Sequence, residues 1–174
     1  QQRLTTFFLL LCALRNLLKG ETQLIAMINN MLTFSFVNPS GDVETRLKLD
    51  PRYENAGEVV RVIVEADADP DTTRAAVRTA GIQRFGSLDN LLNAYATLHR
   101  GLQKEYTTPA QLKKFWAYLA NNVVFIQITS DISSALKIFE TINERGVGLN
   151  PMDLLKNLLF TQVKQDEFTK LKND

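Results

Sequence analysis

Cysteine and histidine each occur once, as Cys12 and His99. A lone cysteine cannot close an internal disulfide, and inside the run Phe7–Leu14 it reads as a small core residue. One histidine leaves no His/Cys zinc set and no histidine-rich nuclease centre. His99 itself reads as a helix-surface residue without a catalytic role. No Asp or Glu stands two residues before a Lys, so the carboxylate-x-Lys nuclease signature is missing. No Gly precedes a Lys, which removes the P-loop. Lys and Arg total 20 against 19 acidic residues, a net charge of +1 that offers no bulk polycation to nucleic acid. The apolar run Phe7–Leu14 falls far short of the roughly 20 residues that span a bilayer.

What is present is ordinary globular composition, 45% hydrophobic and 22% charged, which argues against disorder and gives 174 residues a real core. Arg3 ahead of Phe7–Leu14 has the outline of a secretory leader, and Leu9-Leu10-Leu11-Cys12 that of a lipoprotein cleavage site. Leu11 is too bulky for such a site, no small-x-small signal follows, and Arg15, Asn16 and Lys19 continue with helical spacing. The stretch is therefore expected to be a core helix, Leu4 to Lys19, apolar nearly all round and ended by Gly20. The chain lacks an initial Met and is expected to be an excerpt of a longer, cytoplasmic protein.

A second helix is expected over Glu21–Met31, then a hairpin in TFSFVN-PSGD-VETRLKL, where Phe34, Phe36, Leu47 and Leu49 alternate with polar residues. Four of the five prolines follow a capping residue, as Asp50-Pro51, Asp69-Pro70, Thr108-Pro109 and Asn150-Pro151. Helices follow at 51–66, 70–80, 88–105, 109–122, 132–144 and 151–164, with a capping box at Thr108 and Gln111. VVFIQIT, Val123–Thr129, reads as a buried strand, and a strand this apolar needs covered neighbours, so further strands are expected before Gln1. The expected fold class is α+β and mostly helical, a small sheet of hairpin plus one buried strand beside an irregular helical array. It forms a single domain in three parts: 1–50 with the first helices and hairpin, a helical lobe at 51–122, and 123–164 with the strand and last helices.

Two stretches carry polar residues that packing does not require. Gln1-Gln2-Arg3-Leu4-Thr5-Thr6 opens a helix whose free N–H groups attract anions, and a guanidinium with two hydroxyls there would cradle a phosphate. The alternative is an exposed helix end whose buried part starts at Phe7, and spacing alone favours it. The second stretch is IFETINERGVGLNPMDLLKN, Ile138–Asn157. Its glycines permit tight backbone turns, and Asn143, Arg145, Asp153 and Lys156 would line a cleft. A glycine-capped corner explains the glycines equally well and Asn143 poorly.

QQRLTT running into a hydrophobic helix, with A-x-x-IFETINERGVGLNPMDLLKN far downstream, resembles the N-terminal domain of GmrSD-type modification-dependent restriction endonucleases. RLKLDPRYENAGEVV is similar to that family's hairpin strand and following helix, so the resemblance covers Gln1 to about Phe160. It implies a nucleotide-binding core related to the ParB/sulfiredoxin fold, incomplete here because the family's Asp-Gly before Gln-Gln-Arg is missing. It also implies a ligand, a nucleoside triphosphate (GTP, ATP or CTP) with Mg²⁺, that controls a nuclease. Gln1, Gln2 and Arg3 match the nucleotide motif, with Thr5 and Thr6 beside it; Asn143 and Gly146 match the second motif, Arg145 less strictly. DNA contact would pass through other domains, chiefly a C-terminal His-Asn-His nuclease, and a homo-oligomer fits the same picture; no membrane is implied. A DNA-recognition module reading modified bases through Arg74, Arg78, Arg84, Lys113 and Lys114 is the rival function, and a structural helical adaptor is the third.

Overall fold

The computed structural model describes residues 2–51, 54–82 and 86–125. The chain divides into two units, 1–123 and 124–174, and the architecture below is that of the first. Its elements run α1 (Gln2–Leu17), α2 (Thr22–Leu32), β1 (Thr33–Val37), β2 (Val43–Leu47), α3 (Ala56–Ala66), α4 (Pro70–Thr79), α5 (Gly86–Glu105) and α6 (Pro109–Asn122). The fold is mostly helical with a small antiparallel sheet, in line with the α+β expectation.

Helix α1 occupies the centre because its apolar residues do not keep to one face. Phe8, Leu9, Leu11, Cys12, Ala13 and Leu14 are all buried, as is Leu18 just past its end, and the helix packs on α5, α2 and α6. A second group joins it, built from Val59, Val60, Ile63 and Val64 of α3 with Leu88, Leu91, Leu92 and Tyr95 of α5. Trp116 and Leu119 of α6 close the core.

The proline rule holds at two described helix starts and fails at one. Asp69 accepts from the N–H groups of Asp71 and Thr72, with Pro70 in the first turn of α4. Thr108 and Gln111 form the expected capping box on α6. Asp50-Pro51 opens no helix: α3 starts at Ala56, because Glu54 takes a left-handed φ of 48° that a continuous helix cannot contain.

The hairpin lies where the alternation put it, but its faces differ from a simple apolar stripe. Phe34 pairs with Arg46 and Phe36 with Glu44, while Leu47 pairs with Thr33 on the opposite face. Leu47 and Leu49 pack against the core, whereas Phe34 is 45% exposed. The tip is held by Asn38, whose Oδ1 accepts from the N–H groups of Ser40 and Asp42, with Gly41 at φ 89°. The expected buried strand at Val123–Thr129 is corrected in its described part: Val123–Phe125 form no strand and are exposed. The rest of it, and the helices expected at 132–144 and 151–164, lie outside the described residues.

Candidate functional site

The first turn of α1 presents backbone N–H groups and carries no acidic residue. Arg3 and Thr6, three residues apart, are both exposed, and Leu4 is 52% exposed. Thr5 is turned inward and buried, so the two threonines do not act as a matched pair; each has an interaction partner already. A cation in the first turn opposes the positive end of the helix, a placement that local energetics disfavours by a few tenths of a kcal/mol or more. An anion bound there would reverse that sign. Gln2 begins the helix, Gln1 is outside the described residues, and so are Asn143, Arg145 and Gly146.

Below that turn, α1 is locked by a polar network that the sequence did not announce. Arg15 is buried, and its guanidinium reaches three acceptors: Asp67 Oδ1 at 3.2 Å, Asn29 Oδ1 at 2.9 Å and the Val64 carbonyl. The neighbouring Asn16 donates from Nδ2 to the Asp67 carbonyl at 2.6 Å. Asp67 ends α3 in the left-handed region at φ 40°, an unusual conformation for a residue other than glycine. The single ion pair with the short polar contacts around it ties α1, α2 and the α3–α4 corner together. Tyr95 adds a bond from its hydroxyl to the Ala68 carbonyl at 2.6 Å.

His99 belongs to this network, which corrects its assignment to the helix surface. It is 2% exposed, and its Nε2 meets Asn16 Oδ1 at 2.9 Å. Since Nδ2 of Asn16 is the donor to Asp67, its Oδ1 must accept, so His99 donates from Nε2 and its Nδ1 carries the lone pair. Among the described residues, that Nδ1 is buried with no hydrogen-bond partner. Burial holds the imidazole pKa below its usual value, helped by Lys19 and Arg100 and opposed by Asp69. Cys12 lies nearby in the core, and burial pushes its thiol up to about 12, so it is a neutral packing residue rather than a nucleophile.

A groove of about 670 Å³ separates the hairpin from α3. It is bordered by Phe34, Glu44, Arg46 and Leu47 on one side and by Arg61 and Glu65 on the other, so its charges are of both signs. The Arg46 guanidinium lies 4.6 Å from the centre of the Phe36 ring and 3.2 Å from Glu44. Hydrogen bonds from Asn38 and then Arg46 hold the Glu44 carboxyl below the usual carboxylate range.

The rival basic surface is partly spoken for. Arg74 donates to Asn93 Oδ1 at 3.0 Å, and Lys113 pairs with Glu21. Arg78 and Lys114 are exposed, and Arg84 is outside the described residues. Among the described residues no group of three or more His, Cys, Asp or Glu could hold a metal ion. No helix among them is long and apolar enough to cross a membrane.

Comparison with known families gives one result. The family model described as GmrSD restriction endonuclease, N-terminal domain, matches residues 1–160. No curated protein and no solved structure matches the chain.

Proposed function

The chain belongs to the GmrSD restriction endonuclease N-terminal domain family, and on that footing we propose that it is the nucleotide-responsive regulatory domain of a phage-defence nuclease. The ligand is a nucleoside triphosphate, GTP, ATP or CTP, accompanied by Mg²⁺. Its phosphates sit at the first turn of α1, where Arg3 offers a guanidinium and the backbone offers free N–H groups. Thr6 lies beside it and Thr5 holds the turn from the buried side; Gln1 and Gln2 belong to the same nucleotide motif, and Asn143, Arg145 and Gly146 to the second. The core is of ParB/sulfiredoxin type, the protein works in the cytoplasm, and DNA is engaged through other domains.

One observation carries this reading: an exposed arginine at the positive end of the most buried helix of the unit, with no acid in that turn to neutralise it. A structural adaptor has no use for such an end, since an aspartate or serine there would stabilise the helix. The experiment is titration of the intact protein with each triphosphate in the presence of Mg²⁺, for the wild type and Arg3→Ala. Loss of a charge-assisted contact worth about 1.5–3 kcal/mol weakens binding at least tenfold. Equal affinities in the two proteins would overturn the assignment of Arg3.

A further inference from the structure

Most of the charged side chains that border the groove between the hairpin and α3 are already engaged. Glu44 accepts from Asn38 at 2.9 Å and from Arg46 at 3.2 Å, one bond on each carboxylate oxygen. Arg46 also lies over the Phe36 ring. Asp50 is seated against the first turn of α3, its Oδ1 2.7 Å from where a side chain on Gly57 would begin, and it has partners of its own. Arg61 and Glu65 are the exceptions. Both are exposed on the α3 wall of the groove, and among the described residues neither makes a hydrogen bond or an ion pair. They stand one helical turn apart with opposite charges, a spacing at which such residues can pair, yet they stay apart.

The hairpin contributes surface rather than further charge. Thr33, Thr45 and Leu47 share one face of it, because Thr33 pairs with Leu47 and Thr45 lies two residues before Leu47. Leu47 packs on the core, so this face is the one turned inward. The groove thus offers apolar carbon from Leu47 and Val64 and the Thr45 hydroxyl, beside one unpaired guanidinium and one unpaired carboxylate. Its volume of about 670 Å³ is that of a site for a small molecule, and a mostly apolar lining with a few placed polar groups is what such sites have.

The complement of this set is a flat ring with two acceptors on one edge and two donors on another. A guanidinium donates two parallel bonds, and a carboxylate accepts two. Guanine offers O6 and N7 to the first and the N–H groups of N1 and N2 to the second. No other standard base has two donor atoms side by side, so none meets both carboxylate oxygens. The bordering charges are three acids, Glu44, Asp50 and Glu65, against Arg46 and Arg61, a balance that does not attract the phosphates of a nucleic-acid strand.

We infer that this groove binds the guanine ring of a free nucleoside or nucleotide, with Arg61 on O6 and N7 and Glu65 on N1 and N2. The inference does not rest on the phosphate reading at α1, since recognition of a base needs no phosphate.

Calorimetric titration of the full chain with guanosine tests it, because a nucleoside brings no phosphate to the first turn of α1. Guanosine is expected to bind, and adenosine, cytidine and uridine each about tenfold more weakly or worse. With the wild type, inosine lacks the N2 amine and 7-deazaguanosine lacks N7, and each should lose about tenfold without any change to the protein. Glu65→Gln and Arg61→Met should each weaken guanosine about tenfold, and Glu65→Gln should narrow the gap between guanosine and inosine. Retained guanosine binding with no triphosphate binding would remove the α1 reading alone, and the reverse would remove this one alone. Equal affinity for the four nucleosides, or guanosine binding unchanged in both α3 variants, would overturn the proposal. So would tighter binding of a guanine-bearing single strand than of guanosine.

Discussion

His99 and Asn16, 83 positions apart in the chain, meet at 2.9 Å in the core, and the direction of that bond fixes which ring nitrogen bears the proton. The arrangement gives His99 a donor bond and, among the described residues, leaves its second nitrogen with nothing to donate to. Protonation would therefore place a new N–H in the interior without an acceptor.

Acid stability should follow from this. The folded-state pKa of His99 is depressed below its ordinary value, so the unfolded chain takes up the proton first. Stability from this group is complete above about pH 6.5 and declines as pH falls below it, with a slope of at most about 1.4 kcal/mol per pH unit. The paired carboxylates Glu44 and Asp69 lose their contributions only at lower pH, because their pKa values are depressed too. Urea unfolding between pH 7 and 5 should show the decline in the wild type, and His99→Gln should flatten it. A parallel slope in the variant would remove His99 from the account.

Arg15 should be the costliest polar side chain of the unit to remove. Arg15→Met strands the Asp67 carboxylate and leaves Asn29 and the Val64 carbonyl without their donor. The loss is about 3 kcal/mol, the low end for breaking a buried pair, because Asp67 keeps 37% of its side chain in solvent. Arg15→Lys keeps the charge without the three-way fork and should fall between. Denaturant midpoints at constant slope give the comparison.

Arg3 should behave in the opposite way. Without ligand, Arg3→Ala should match or exceed wild-type stability by about 0.3–1 kcal/mol, since it removes a cation from the positive end of α1. With a triphosphate at about a hundred times its Kd, the wild type should gain about 2.7 kcal/mol and the variant much less. Thermal melts with and without nucleotide read both effects. A less stable unliganded variant would mean that Arg3 serves packing.

Asp69→Ala should destabilise the unit by about 1 kcal/mol, the usual worth of a side-chain cap. Asp69 accepts from the backbone of Asp71 and Thr72 and from the Thr72 hydroxyl at 2.6 Å. Asp69→Asn retains an acceptor and should recover most of the loss.

Periodicity and capping made most of the elements legible. The proline at Thr108-Pro109 gave α6 its true bounds, and the alternation in TFSFV and VETRL placed the hairpin. These are local signals, held within a few residues of chain. What escaped was set by residues far apart. Arg15 and Asn16 look like solvent-facing helix residues until the α3–α4 corner, 51 and 52 positions away, is brought against them. His99 was hidden for the same reason. Asp50-Pro51 misled because a capping pair says where a helix is permitted to start, and the left-handed Glu54 decides where it does. Of the candidate site, the exposed cation at the helix start was readable from QQRLTT; the inward turn of Thr5 was not, because it depends on which side of α1 the rest of the unit covers.

Helix α1 is a rod of 16 residues, about 24 Å long, with Arg3 exposed at its first turn and its far end bolted by Arg15 and Asn16. Such a rod cannot slide along its axis like a piston without tearing the bolts. On the proposed reading, an occupied first turn signals sideways, through the residues beside it, while the helix itself stays put as an anvil.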